Sequence, residues 1–248
     1  MGGRALTPSA TAEQARELDR ASGRHGVDGV ALMALASFQC ARLARLLLQD
    51  LPPGTGVAVL AGRGNNGGDA LGCARHLASW GRRVRALSLA TLEDPGSVAS
   101  RQAHAAAAAG VEIRQAEERI ETDLEWALDA SELVVDGLLG TGASGAPRGP
   151  LAIAIERANR TKAKTLAIDI PSGLDASSGG IPGICIRASA TLMLAVAKTG
   201  CLRAPGRGCA GQLWLADIGV PATAYAELGL KPPDFSRDSL VPLLSSQE

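Results

Sequence analysis

The sequence predicts an α/β protein built on a doubly wound, mostly parallel sheet with helices on both faces. Three observations carry that expectation. Between residues 57 and 217, short β-prone apolar runs alternate with segments of helical spacing, a rhythm that implies parallel strands joined by right-handed crossovers. The stretch GRGNNGGD (62–69) follows the apolar run VAVLA (57–61) and precedes ALGCARHLASW (70–80), which reads as strand, tight turn and helix. Two later strands end on aspartates, Asp136 and Asp169, and each opens a glycine-rich loop.

Taken in order, Thr11 caps a first helix over 11–23, with Glu13 and Gln14 in its first turn. Leu32, Leu35, Ala36, Cys40, Leu43, Leu46 and Leu47 give a second helix, over about 29–49, an apolar stripe. Pro52 and Pro53 stop it. Strands are predicted at 57–61, 83–89, 111–114, 132–136, 165–169, 191–196 and 213–217. Helices are predicted at 70–80, 96–109, 123–130 and 149–159. Residues 1–230 read as one domain whose sheet core covers 57–217. Residues 231–248 contain three prolines and little periodicity, and read as an extended tail.

Composition narrows the function. Formal net charge is zero, from 25 basic and 25 acidic residues, and no basic block appears, so neither nucleic acid nor an anionic membrane surface is an expected partner. The five cysteines form no CxxC pair, which points to reduced thiols and a cytoplasmic setting. The start, MGGRALTPSA, has no apolar core like that of a signal peptide. No unbroken apolar run approaches the roughly 20 residues that span a bilayer.

The glycine-rich turn is not a P-loop, because Asp-Ala follows its last glycine where Lys and Ser or Thr are needed. Gly62, Gly64 and Gly67 do fit the dinucleotide fingerprint, which leaves Asn65, Asn66 and Asp69 unexplained. The glycines are expected to let the turn visit positive φ and bare its backbone to a ligand. The following helix turns its free N–H groups and positive dipole end toward that ligand, which favours a phosphate. Asp69 reads either as the N-cap of that helix or as a ligand contact.

In a doubly wound sheet, ligands bind outside the carboxyl ends of the strands, where the strand order reverses. In the usual winding the first, fourth and fifth predicted strands are neighbours, so the 62–69 turn, Asp136 and Asp169 share one crevice. Lys198 and Asp217 follow the next two strands. Clustered carboxylates repel, so a counter-charge is expected from Lys198, a ligand cation or a bound metal ion. Asn, Asp, Ser and carbonyl oxygens suit a hard cation. His25, His76 and His104 are scattered, and His76 reads as a surface or packing residue.

Five ordered motifs then carry a resemblance: GNNGGD (64–69), VVDGLLGTG (134–142), DIPSGLDASSG (169–179), AVAKTGCL (195–202) and ADIGVP (216–221). Over roughly residues 8–225 the chain resembles the YjeF N-terminal domain family, the NAD(P)H-hydrate epimerases. The resemblance implies a Rossmann-like, three-layer α/β/α fold and interconversion of the R and S forms of hydrated NADH or NADPH. It implies that Asn65, Asn66, Gly67, Gly68 and Asp69 hold the nucleotide together with Gly140, Thr141, Gly142, Ala143, Ser144, Gly145 and Ala146. It further implies a potassium ion on Asn66, Asp136 and Ser172, a homodimer, and a separate NAD(P)H-hydrate dehydratase as functional partner. Asp169 would face the hydrated ring as acid–base group, with Lys198 as its electrostatic partner.

The chain departs from the family pattern in reading LMALAS (32–37) where LMENAG is usual, and in carrying Ala70 after the loop acid. A catalytically inactive scaffold or nucleotide-sensing dimerisation module on the same fold is the alternative that LMALAS fits. An ordinary NAD(P)-dependent oxidoreductase fits less well, since no acid ends the second predicted strand and no Tyr-x-x-x-Lys pair occurs.

Overall fold

Eight strands form one sheet in the order β10-β9-β7-β6-β5-β2-β3-β4, parallel throughout except for its last strand. The structure is a computed structural model and describes residues 8–116 and 119–243. The first seven and last five residues, which belong to the predicted start and tail, lie outside it. The strands are β2 (Gly56–Ala61), β3 (Arg83–Ser88), β4 (Glu112–Gln115), β5 (Ser131–Gly137), β6 (Lys164–Ile168), β7 (Ala190–Leu194), β9 (Gln212–Ala216) and β10 (Leu240–Leu243). A separate two-residue pairing joins β1 (Ser9–Ala10) to β8 (Ala197–Lys198).

Alternation along the central strands sorts their side chains onto two faces. Val57, Val59 and Ala61 join a core with helices α1 (Ala12–Arg24), α2 (Gly29–Leu47) and α3 (Asn65–Ser79). Ala58 and Leu60 join the opposite core with α5 (Ile120–Leu128) and α6 (Pro150–Arg160). Helix α4 (Val98–Ala108) packs beside α3. The short helices α7 (Thr199–Leu202) and α8 (Ala222–Glu227), with a 3₁₀ turn over Gly206–Cys209, complete the layers.

The strands keep their predicted places to within one or two residues. Thr11 caps α1 as expected, in a reciprocal capping box with Gln14. The stripe on α2 is narrower than predicted. Leu32, Ala36, Cys40 and Leu43 are buried, while Leu35 and Leu46 are 42% and 39% exposed on the far side. At nineteen residues α2 is long and apolar enough to cross a membrane by length and composition. Half of its apolar stretch is buried in the fold, against α3, β6 and β7, as in a core helix.

The tail is more ordered than predicted. Gln39 donates to the carbonyls of Asp217 and Ser239, and Arg42 reaches Ser239 and Asp238. These contacts lead the chain back along β9, where β10 pairs antiparallel. Pro242 is tolerated there because β10 is an edge strand.

The largest correction concerns α3. The sequence predicts a turn over 62–69 before the helix, with Asp69 as either N-cap or ligand contact, yet the helix begins at Asn65 with Gly64 as N-cap. None of the turn's glycines has positive φ. They are small because other atoms press on them: a Cβ on Gly62 would lie 1.8 Å from the Leu138 carbonyl oxygen, and one on Gly67 would lie 2.0 Å from that of Gly62. Gly67→Ala therefore destabilises the fold by about 1–3 kcal/mol or more, since backbone on both sides must shift. Urea unfolding measures this, and a wild-type midpoint would contradict the packing account.

Candidate functional site

The strand order reverses between β2 and β5, and the carboxyl ends of β2, β5, β6 and β7 open there into one cavity of about 820 Å³. Its size suits a small-molecule site. Four predicted features meet in it: Asn65, Asn66 and Asp69 of α3, residues 140–143 of the loop after β5, Asp169 after β6, and Lys198. Leu18, Leu32, Met33 and Ile218 add apolar wall.

Asp136 and Ser172 tie the loops of this cavity together. Ser172 donates to Asp136 Oδ2 through its backbone N–H at 2.9 Å and to Oδ1 through its hydroxyl at 2.6 Å. The Leu138 N–H also donates to Oδ1, at 3.2 Å. The Ser172 oxygen accepts from the Leu139 N–H at 2.8 Å, and Asn66 Nδ2 donates to the Leu139 carbonyl at 3.0 Å. Asp136 is fully buried, and burial pushes its carboxyl up to about 6 despite the Ser172 and Leu138 donors. None of those donors is a cation.

The second polar group is an ion pair. Asp169 Oδ1 contacts Lys198 Nζ and accepts from the Leu194 N–H at 3.1 Å. Lys198 also donates to the Leu194 carbonyl at 2.6 Å and is 2% exposed. Asp169 sits in the left-handed region (φ 66°), as does Ala195 (φ 61°). Such strain in non-glycine residues gathers at functional sites. Tyr225 helps hold the second of them by donating to the Ala195 carbonyl at 2.9 Å.

Asp69 is not the N-cap of α3. It lies in the second turn, 6% exposed, lines the cavity, and its Oδ1 has no hydrogen-bond partner among the described residues. Burial, then the fields of Asp169 and Asp19, hold its carboxyl well above the usual carboxylate range. Asp19, on α1, escaped the sequence reading. It is exposed where it lines the cavity yet flanked by protein, and that partial desolvation raises its carboxyl to about 6. Its only sequence signal was a charged residue on an amphipathic helix, which ordinarily marks a solvated face.

Several predicted residues lie elsewhere. Gly67 and Gly68 do not line the cavity; Gly68 lies under Met33 and Val98. Ser144, Gly145 and Ala146 lie outside the lining, as do Asp136 and Ser172, which support it from behind. His76 packs against Phe38 and Trp80, as a packing residue does. Ala34 and Leu35 of LMALAS are on the exposed side of α2 and do not line the cavity. Ala70 is buried where Gly137 presses on it. Arg16 of α1 donates to the Thr141 carbonyl at 2.8 Å and so joins α1 to the loop after β5.

The start of α3 forms the wall where the sequence reading placed an anion. No side chain caps it, so the amides of its first turn are open to a ligand. The cavity thus has uncapped backbone amides at one wall and buried carboxyls with one lysine at another.

Comparisons with known proteins identify the family. The family model described as YjeF-related protein N-terminus matches residues 29–200. The NAD(P)H-hydrate epimerase of Rhodopirellula baltica is 37% identical over 86% of the chain, which covers 85% of that protein. The NAD(P)H-hydrate epimerase of Dehalogenimonas lykanthroporepellens is 34% identical over 99% of the chain, which covers 96% of it. The bifunctional NAD(P)H-hydrate repair enzyme Nnr of Hyperthermus butylicus is 39% identical over 82% of the chain, which spans 37% of that longer protein. The crystal structure of yeast ynu0 has the same fold, with a TM-score of 0.79 at 22% identity, covering 95% of this chain and 99% of that one. The chain belongs to the family of YjeF-related protein N-termini.

Proposed function

We propose that the protein is an NAD(P)H-hydrate epimerase, an isomerase that interconverts the R and S forms of hydrated NADH or NADPH. The observation that carries this reading is the buried Asp169–Lys198 pair in a cavity whose other wall is the uncapped start of α3. Identities of 37% and 34% with NAD(P)H-hydrate epimerases, over 86% and 99% of the chain, support the same reaction.

In this reading the amides of Asn65 and Asn66 and the loop 140–143 hold the phosphates. Apolar wall and buried acids receive the hydrated ring. Epimerisation requires proton transfer to and from the hydroxyl oxygen on the carbon beside the ring nitrogen. Asp169 supplies the acid–base group, oriented by the Leu194 N–H, and Lys198 offsets its charge. The S epimer then passes to a dehydratase.

We also propose a potassium ion on Asn66, Asp136 and Ser172. The residue types fit: the Asn66 amide and the Ser172 hydroxyl meet at Leu139, Ser172 also holds the Asp136 carboxylate, and Asp136 is a buried acid whose donors are all neutral. Bound there, the ion would neutralise Asp136 and fix the loop after β5 against α3.

Three measurements check these assignments. Incubation with R-NADHX, an S-specific dehydratase and ATP or ADP restores NADH faster than spontaneous epimerisation; no acceleration would contradict the enzyme. Asp169→Asn loses at least about 10²-fold in that rate. It also destabilises the fold by about 3–5 kcal/mol by leaving Lys198 buried and unpaired. The double change Asp169→Asn with Lys198→Met recovers stability but stays inactive, and full activity in either variant removes the pair from the mechanism. Potassium raises the melting temperature of the wild type above that in sodium and leaves Asp136→Asn unmoved; equal responses would count against the ion.

A further inference from the structure

The cavity holds more acid than the Asp169–Lys198 pair uses. Asp69 lines it from α3, more than nine-tenths buried, with an oxygen that no donor among the described residues reaches. An ionised carboxylate in such a place would be a buried charge without a counter-ion, which costs several kcal/mol. The groups around it offer no relief. Asp19 on α1 and Asp169 after β6 add negative charge. Cys40 on α2 and Cys73 on α3 are buried thiols whose own ionisation Asp69 opposes. Lys198, the cation that acts on Asp69, is already bound to Asp169 and the Leu194 carbonyl. Burial without a counter-ion therefore favours the protonated form of Asp69, while Asp169 is matched with Lys198. Two carboxyls in one cavity, set apart by their surroundings, are the pattern of an acid and a base.

We propose that Asp69 is the second acid–base group of the epimerisation, entering turnover as the acid while Asp169 enters as the carboxylate. This rests on the epimerase reading of the same site. The substrate carbon carries a hydroxyl and is bonded to the ring nitrogen. Asp69 gives its proton to the hydroxyl oxygen, the C–O bond breaks, and its electron pair leaves with water. The nitrogen lone pair closes a C=N⁺ bond. Water then adds from the other face: its oxygen forms the new C–O bond, the nitrogen recovers its pair, and Asp169 takes the released proton. The other epimer results, and the two carboxyls have exchanged states. The reverse direction uses them in the opposite roles. Asp19, exposed and lining the same cavity, is a third carboxyl there.

Asp69→Asn tests this, because an amide is nearly isosteric with a neutral acid but has no proton to give. The expected variant melts like the wild type and keeps KM, while kcat falls at least about 10²-fold. In the wild type, activity falls as pH rises through the raised pKa of Asp69, because the acid form is the one required. A variant kcat near the wild-type value overturns the proposal. Should the variant fail to fold, ¹³C NMR of the wild type decides: the Asp69 carboxyl carbon resonates as an acid at pH 7, and a carboxylate shift overturns the role. An active wild type with an undiminished variant refutes Asp69 alone. An inactive wild type refutes the epimerase reading, and this role with it.

Discussion

The clasp between Asp136 and Ser172 is the contact on which the site depends. It joins the end of β5 to the loop after β6, and through Leu139 it reaches Asn66 on α3. Three segments far apart in sequence thereby become one wall. Hydrogen bonds to a charged acceptor are worth about 1.5–3 kcal/mol each, so the loops cannot drift apart cheaply. The clasp also carries a cost, because burial pushes Asp136 up to about 6. Near neutral pH its charge is held against the preference of its surroundings, and a bound cation would relieve that.

Charge placement divides the cavity by chemistry. The start of α3 presents open amides, which attract an anion. The end nearer β6 and β7 gathers Asp69, Asp169 and Lys198, with Asp19 across from them on α1. A ligand with phosphates at one end and an uncharged, proton-exchanging ring at the other matches both regions. The strained backbone at Asp169 and Ala195 turns the chain there, and Tyr225 helps to brace it.

Much of this was legible in the residues. Short β-prone apolar runs alternating with helical spacing implied the parallel sheet, and strand adjacency placed the first turn, Asp136 and Asp169 in one crevice. The start of α3 was hidden because Asn, Asn, Gly and Gly are weak helix formers. Tertiary contact overrides that propensity: Gly67 fits on the Gly62 carbonyl and Gly68 under Met33. Asp19 was hidden because a charge on an amphipathic helix is ordinarily solvated, and only the docking of α1 brings it to the cavity. The last strand was hidden by Pro242, which an edge position tolerates.

A crystal structure of the protein with bound NADH tests the account most directly. The account predicts the pyrophosphate at the amides of Asn65 and Asn66 and the nicotinamide end between Asp69 and the Asp169–Lys198 pair. A nucleotide bound with its ring away from both acids would contradict it.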